Sequence, residues 1–142
     1  LGTAEAIFVR IEDALDDQLD ESTFQMLRAS HDYVVTRTGN DLEWYFDNIL
    51  LPAEEDDAEG SIGYVYFRVK PQAGYALGDI IPNTAAIYFD FNAPVITNRF
   101  DTEFVDDALS ISEFDYNGFE MYPNPANDMV NIKFIWYKKL YL

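Results

Sequence analysis

Ser61-Ile62-Gly63-Tyr64-Val65-Tyr66-Phe67-Arg68-Val69-Lys70 decides the fold class. In an extended chain Val65, Phe67 and Val69 fall on one face, and Tyr64, Tyr66, Arg68 and Lys70 on the other. A half-buried strand sorts side chains in this way, one face to the core and one to water. Upstream, Leu42–Ile49 repeats the pattern, with Leu42, Trp44 and Phe46 opposed to Glu43, Tyr45 and Asp47. Downstream, Ala85–Phe91 places Ile87, Phe89 and Phe91 inward and Tyr88 and Asp90 outward. The predicted interior is therefore Trp44 and Phe46 with Val65, Phe67 and Phe89.

Shorter elements flank these three. Ala6–Glu12 alternates, with Ile7, Val9 and Ile11 on one face and Phe8 and Arg10 on the other. Ala14 to Thr23 is an acidic stretch of turn formers, too charged and short to bury a helical face. Thr23–Leu27 and Tyr33–Arg37 form two short strands, and Gly39-Asn40 marks a hairpin turn after the second. Pro52–Gly60 and Pro71–Gly78 read as loops, Asn92-Ala93-Pro94 as a break, and Val95–Thr97 as a last strand. This gives about seven short strands with turn signals roughly every ten residues, the pattern of an all-β antiparallel sandwich. Residues 1–105 are expected to form the sandwich, 106–118 a linker, and 119–142 a separate tail with a short β segment, whose Val130, Ile132, Phe134 and Trp136 either stay unpaired or pair with an exposed edge of the sandwich or of another copy.

The chain has 142 residues and a formal net charge of −17, and the body alone carries more than this. Residues 119–142 set Glu120 and Asp128 against Lys133, Lys138 and Lys139, a net of +1, leaving −18 elsewhere. Such a body repels phosphate backbones, so nucleic acid is not an expected partner, and anionic membrane surfaces are disfavoured for the same reason. No apolar run approaches the ~20 residues that span a bilayer as a helix. The absence of cysteine excludes disulfides and thiolate metal sites.

No catalytic residue is assigned. The single histidine, His31, lies between Ser30 and Asp32, but neighbours on a strand point to opposite faces and cannot share a proton. Asp13, Asp16, Asp17 and Asp20 are the candidate Ca²⁺ ligands, since this cation takes several oxygens. Their spacing lacks the D-x-D-x-D-G order of an EF-hand, and solvated loop charge is the competing reading. Tyr45, Tyr64, Tyr66 and Tyr88 share the parity that faces away from the core. Their rings form a candidate platform for a sugar or a protein partner, and the competing reading is a half-exposed sheet surface. No organic cofactor is expected.

Two segments carry a resemblance. In residues 1–104 the carriers are Gly2-Thr3-Ala4, the spaced Leu-Asp pairs of residues 15–20, Ser30-His31, Trp44 to Pro52 and above all Asn83 to Pro94 with Thr97-Asn98. They resemble the conserved repeat-type β domain (DUF11-like or DUF7619-like) near the C-termini of large Bacteroidetes surface proteins. The resemblance implies an immunoglobulin-like sandwich without assigned catalysis. Phe119 to Asp128, with the core Tyr122-Pro123-Asn124-Pro125 and the apolar Met129, Val130, Ile132 and Phe134 after it, is similar to the opening of a type IX secretion (Por) C-terminal sorting domain. That resemblance implies export to the outer-membrane surface or the medium, with the type IX machinery as partner. The chain stops at Leu142, before the further strands of that domain. The expected role is a structural, spacer or interaction module. Its rival is an adhesin-like carbohydrate- or protein-binding module that uses the tyrosine face.

Overall fold

The computed structural model describes residues 4–74, 76–104, 119–123 and 130–137. Among them the chain is all β, with eleven strands. In order these are β1 (Val9–Ala14), β2 (Leu19–Ala29), β3 (Val34–Thr38), β4 (Asp41–Phe46), β5 (Ile62–Pro71) and β6 (Ile80–Asn83). Then come β7 (Ala85–Phe89), β8 (Val95–Ile96), β9 (Phe100–Glu103), β10 (Phe119–Pro123) and β11 (Val130–Tyr137). No helix among the described residues is long and apolar enough to cross a membrane.

The strands form a five-stranded sheet ordered β3-β4-β1-β7-β8, a four-stranded sheet ordered β10-β11-β5-β2, and a two-stranded pair β6-β9. The expected β-sandwich is thus present. The alternation of β1, β4, β5 and β7 aims one face of each large sheet at the other. Val9 and Ile11, Leu42, Trp44 and Phe46, Val65, Phe67 and Val69, and Ala85, Ile87 and Phe89 meet in one core. Trp44 from the first sheet packs on Phe67 from the second, with ring centroids 5.2 Å apart. Its indole N–H donates to the Met26 sulfur at 3.1 Å, so the polar atom of the largest core side chain is satisfied. At the β3–β4 hairpin Gly39 takes φ 59°, a conformation that a Cβ would disfavour.

Several expectations are corrected. Ile7 is exposed. The regular strand begins only at Val9, and Ala6 bridges Leu51 ahead of it, so the alternation of Val9 and Ile11 does not extend back to Ile7. Phe91, expected inward, is 97% exposed, because β7 ends at Phe89 and Asp90 turns the chain at φ 52°. The acidic stretch is not all turn. Leu19 is buried and opens β2, which runs against β5 with register shifts at Asp20/Gln25 and Met26/Arg28. Strands β6 and β9 were not anticipated, and they bury Ile81, Asn83 and Thr102.

The largest correction concerns the tail. A boundary at 105 followed by an independent module predicts that Val130 and its neighbours stay out of the core. Instead β11 lies antiparallel to β5 from Val130↔Val69 to Tyr137↔Ile62. Val130, Ile132 and Phe134 join the core cluster, and the Phe134 ring stands 6.2 Å from Trp44 and 5.8 Å from Phe67. The physical reason is the apolar alternation of Val130, Ile132 and Phe134, which covers the flank of Phe67. Residues 106–118, read as a linker, lie outside the described residues. The start of β1, beside Phe46, and the end of β11, beside Ile62, lie at one pole, joined there through the loop that carries Leu51 to Ile62.

Trp44→Ala and Phe134→Ala should each cost ~3–5 kcal/mol in urea unfolding. Because the two rings touch, the double variant should lose less than the sum. A near-native midpoint for Phe134→Ala would place the tail outside the core.

Candidate functional site

The outer face of the five-stranded sheet carries the richest side-chain assembly. Register sets Val34, Tyr45, Arg10 and Tyr88 side by side across β3, β4, β1 and β7. The Arg10 guanidinium lies 4.2 Å from the Tyr88 ring centroid and 3.5 Å from Glu12. The Tyr88 hydroxyl donates to Glu12 at 3.2 Å. Beside this row a groove of about 700 Å³ is lined by Thr36, Thr38, Asp41, Glu43 and Glu12, with Ile96 at its far side. It is acidic and rich in hydroxyl groups.

Aromatic rings gather at the other end of the same face. Phe8 packs on Tyr45 (5.6 Å) and edge-on to Phe91 (5.2 Å). Val34, opposite Tyr45, is exposed and extends the apolar surface, and Ile7 and Leu50 in the adjoining segments are exposed too. The backbone here is unusual, since Asn48 (φ 51°), Leu50 (φ 50°) and Asp90 (φ 52°) are the non-glycine residues with positive φ among the described residues. Such a conformation costs about 1–3 kcal/mol at a residue like Leu50 and less at Asn or Asp, whose short polar side chains bond locally. Asp90 is compensated. Its carboxylate accepts from the amides of Ile7 (2.7 Å) and Phe8 (3.0 Å), and its own amide donates to the Phe8 carbonyl (3.0 Å). The same turn throws Phe91 outward. Reading the sequence as alternation missed Phe8 and Phe91. The available signal was the Asp90-Phe91-Asn92-Ala93-Pro94 run, in which Asp and Asn tolerate positive φ and Pro ends pairing.

The four tyrosines do not form one platform. Tyr45 and Tyr88 lie on this face, whereas Tyr64 and Tyr66 lie on the outer face of the four-stranded sheet. Parity separates inward from outward but does not say which sheet a strand joins. The second face is basic. Lys133 stands 5.1 Å from the Tyr64 ring centroid, and Tyr66 lies opposite both Lys133 and Arg28. Arg68 donates twice to Gln25, at 2.8 and 2.6 Å.

The candidate calcium ligands are also dispersed, and among the described residues no group of three or more acidic or histidine side chains could hold a metal ion. Asp16 accepts from the Gln18 amide and side chain, Asp17 from Asn40, and Asp20 from the Ser22 amide and hydroxyl. Asp16 and Asp17 shape the β1–β2 turn, whereas Asp20 holds Ser22 inside β2, where the pairing with β5 shifts register. Asp13 instead points into the core. Asn83 donates to its Oδ2 at 3.0 Å, while Asp13 Oδ1 and Asn83 Oδ1 have no hydrogen-bond partner. Burial pushes the Asp13 carboxyl up from 3.8 to about 7, against the opposing pull of Asn83. A proton on this carboxyl supplies the donor that the pair lacks.

Ser30 and His31 correct another expectation. The serine hydroxyl lies 2.8 Å from His31 Nδ1. The strand argument fails because β2 ends at Ala29 and both residues fall in the bend beyond it. Ser30 also prolongs the sheet, for the Tyr64 amide donates to its oxygen at 2.9 Å and its own amide donates to the Tyr64 carbonyl at 2.9 Å. Burial lowers the His31 pKa, and the nearby Asp32 charge raises it by less. Of the sorting-like motif, Tyr122 and Pro123 close β10, and Asn124 and Pro125 lie outside the described residues.

With this geometry in hand, comparison with known proteins places the chain in one family. Residues 1–103 match the family described as Domain of unknown function (DUF7619), and the chain belongs to that family. No curated protein and no solved structure matches it.

The Asp13 carboxyl makes stability depend on pH. Its folded pKa exceeds its unfolded one, so between about pH 4 and pH 7 the folded state holds the extra proton and stability falls as pH rises. Asp13→Asn should remove up to about 4 kcal/mol of that loss. Urea unfolding at pH 4.5 and pH 8 checks this. An equal loss in variant and native chain would assign the whole effect to general repulsion among surface carboxylates.

Proposed function

We propose that this chain is a non-catalytic structural or spacer module of a secreted or cell-surface bacterial protein, of Bacteroidetes type. In this reading it is exported through the type IX system, with Tyr122-Pro123-Asn124-Pro125 opening the sorting segment. One observation supports it. The segment similar to the sorting signal enters as β10, the outermost strand of its sheet, so the hairpin β10–β11 rides on the rim of the sandwich. A carrier domain should present its address at the rim.

The test fuses the full chain to a fluorescent reporter behind a general secretory signal. The fusion is expressed in a type IX-competent bacterium and in a strain lacking the machinery. Surface or extracellular reporter is expected in the competent strain alone, and replacing Tyr122-Pro123-Asn124-Pro125 by alanines should abolish it with the unfolding midpoint kept near the native one. Equal distribution in both strains would sink the export reading.

A second reading has its own support. The Phe8–Tyr45–Phe91 cluster exposes rings on a backbone with three left-handed turns, of which Leu50 is the strained one, as binding surfaces often do. An adhesin-like module that stacks a sugar ring or packs on a protein would use this end of the face. On a glycan array the native chain should retain ligand, and Phe91→Ala with Tyr45→Ala should lose at least about tenfold in binding, with stability changed by about 1 kcal/mol or less. Retention equal in both proteins rejects the aromatic end as the site.

A further inference from the structure

Strand β5 is ten residues long and central to its sheet. One flank pairs with β2. The other is filled only by β11, which runs along it from Ile62 to Val69. Yet the family match ends at residue 103. The strand that closes this flank therefore comes from sequence outside the shared domain. Without it, a row of β5 amides and carbonyls would lose its partners, and the side of Phe67 and Trp44 now covered by Phe134 would open. What fills the gap is an extended segment with apolar residues at alternate positions, Val130, Ile132 and Phe134, and a cation between them over Tyr64. Extended peptides add to a sheet edge in this way, with main-chain bonds giving affinity and alternate side chains giving specificity.

The connection does not restrict the donor to the same molecule. Residues 105–118 can span roughly 50 Å when extended, beyond the width of one small domain. We propose that the β5 edge, backed by Trp44 and Phe67, is a strand-acceptor site, and that it takes Val130–Tyr137 from a second copy in exchange for the chain's own strand. The acceptor selects an apolar residue at the three inward positions. An exchanged pair makes identical contacts to the closed monomer, so local chain concentration sets the balance between them. This site is independent of the export reading.

The experiment weakens the chain's own donor strand and offers another. Full-length Phe134→Asp is mixed with a fluorescein-labelled peptide of residues 128–139. Saturable uptake is expected, with a rise in the variant's thermal midpoint. The native chain should take up at least tenfold less, since its own strand competes. A peptide carrying Ile132→Asp should not bind. Full-length native chains bearing donor or acceptor dyes, unfolded and refolded together at high concentration, should elute partly as a mixed dimer with energy transfer. Three outcomes overturn the proposal: no uptake by Phe134→Asp, including a variant that stays unfolded with peptide present; equal uptake by variant and native chain; or monomer alone at every refolding concentration.

Discussion

The contact of Trp44 with Phe67 and Phe134 is the point on which the structure turns. Each ring comes from a different strand, one from the first sheet and two from the second. Phe24 adds an edge at 6.1 Å from Trp44 and 5.3 Å from Phe67. A sandwich without cysteines must hold its two layers by burial alone, and a cluster of large rings removes the most apolar surface from water per residue. The flanking aliphatic residues complete the packing around them. Strand registers on both sheets are fixed with respect to this cluster, because a slip of one residue would turn Trp44 or Phe67 to solvent.

Much of this was legible in the sequence. The alternation in β4, β5 and β7 located Trp44, Phe46, Val65, Phe67 and Phe89 correctly, since two-residue periodicity is a local property. What failed was non-local or conformational. Phe91 continued the alternation of Ile87 and Phe89, but the carboxylate of Asp90 captured the two amides just ahead of the first strand and turned the chain. Val130, Ile132 and Phe134 carried a strand's pattern, yet nothing in that pattern names the strand it will pair with. The tyrosines shared a parity while belonging to opposite faces. Ser30 and His31 lay one and two residues beyond a strand end that alternation could not fix.

The candidate site was less legible than the fold. Its carboxylates were visible as composition, but their roles differ with position. Asp16 and Asp17 tie down a turn, Asp20 holds Ser22 within β2, Asp90 pins the entry of β1, and Asp13 is buried against Asn83 across β1 and β6. That last pair spends desolvation energy inside an apolar core, so it contributes discrimination more than stability. A mispaired β6 would leave the Asp13 carboxyl without its one donor. The charge is also divided between the outer surfaces, acidic along the groove of the first sheet and basic around Tyr64 and Tyr66 on the second.

The pole shared by the start of β1 and the end of β11 decides how the domain answers a mechanical pull. Tension applied between those two points reaches the β5–β11 ladder at Tyr137↔Ile62, its terminal rung. The rungs then carry load one after another, as in a zipper, whereas a strand pulled along its length from opposite poles would load them all together. The force needed to open such a row is set by one or two hydrogen bonds at a time. Strand β1 is gripped on both sides, by β4 and β7. Under tension the C-terminal hairpin is therefore the first element to peel away, and the β3-β4-β1-β7 sheet keeps its pairing after that joint has opened.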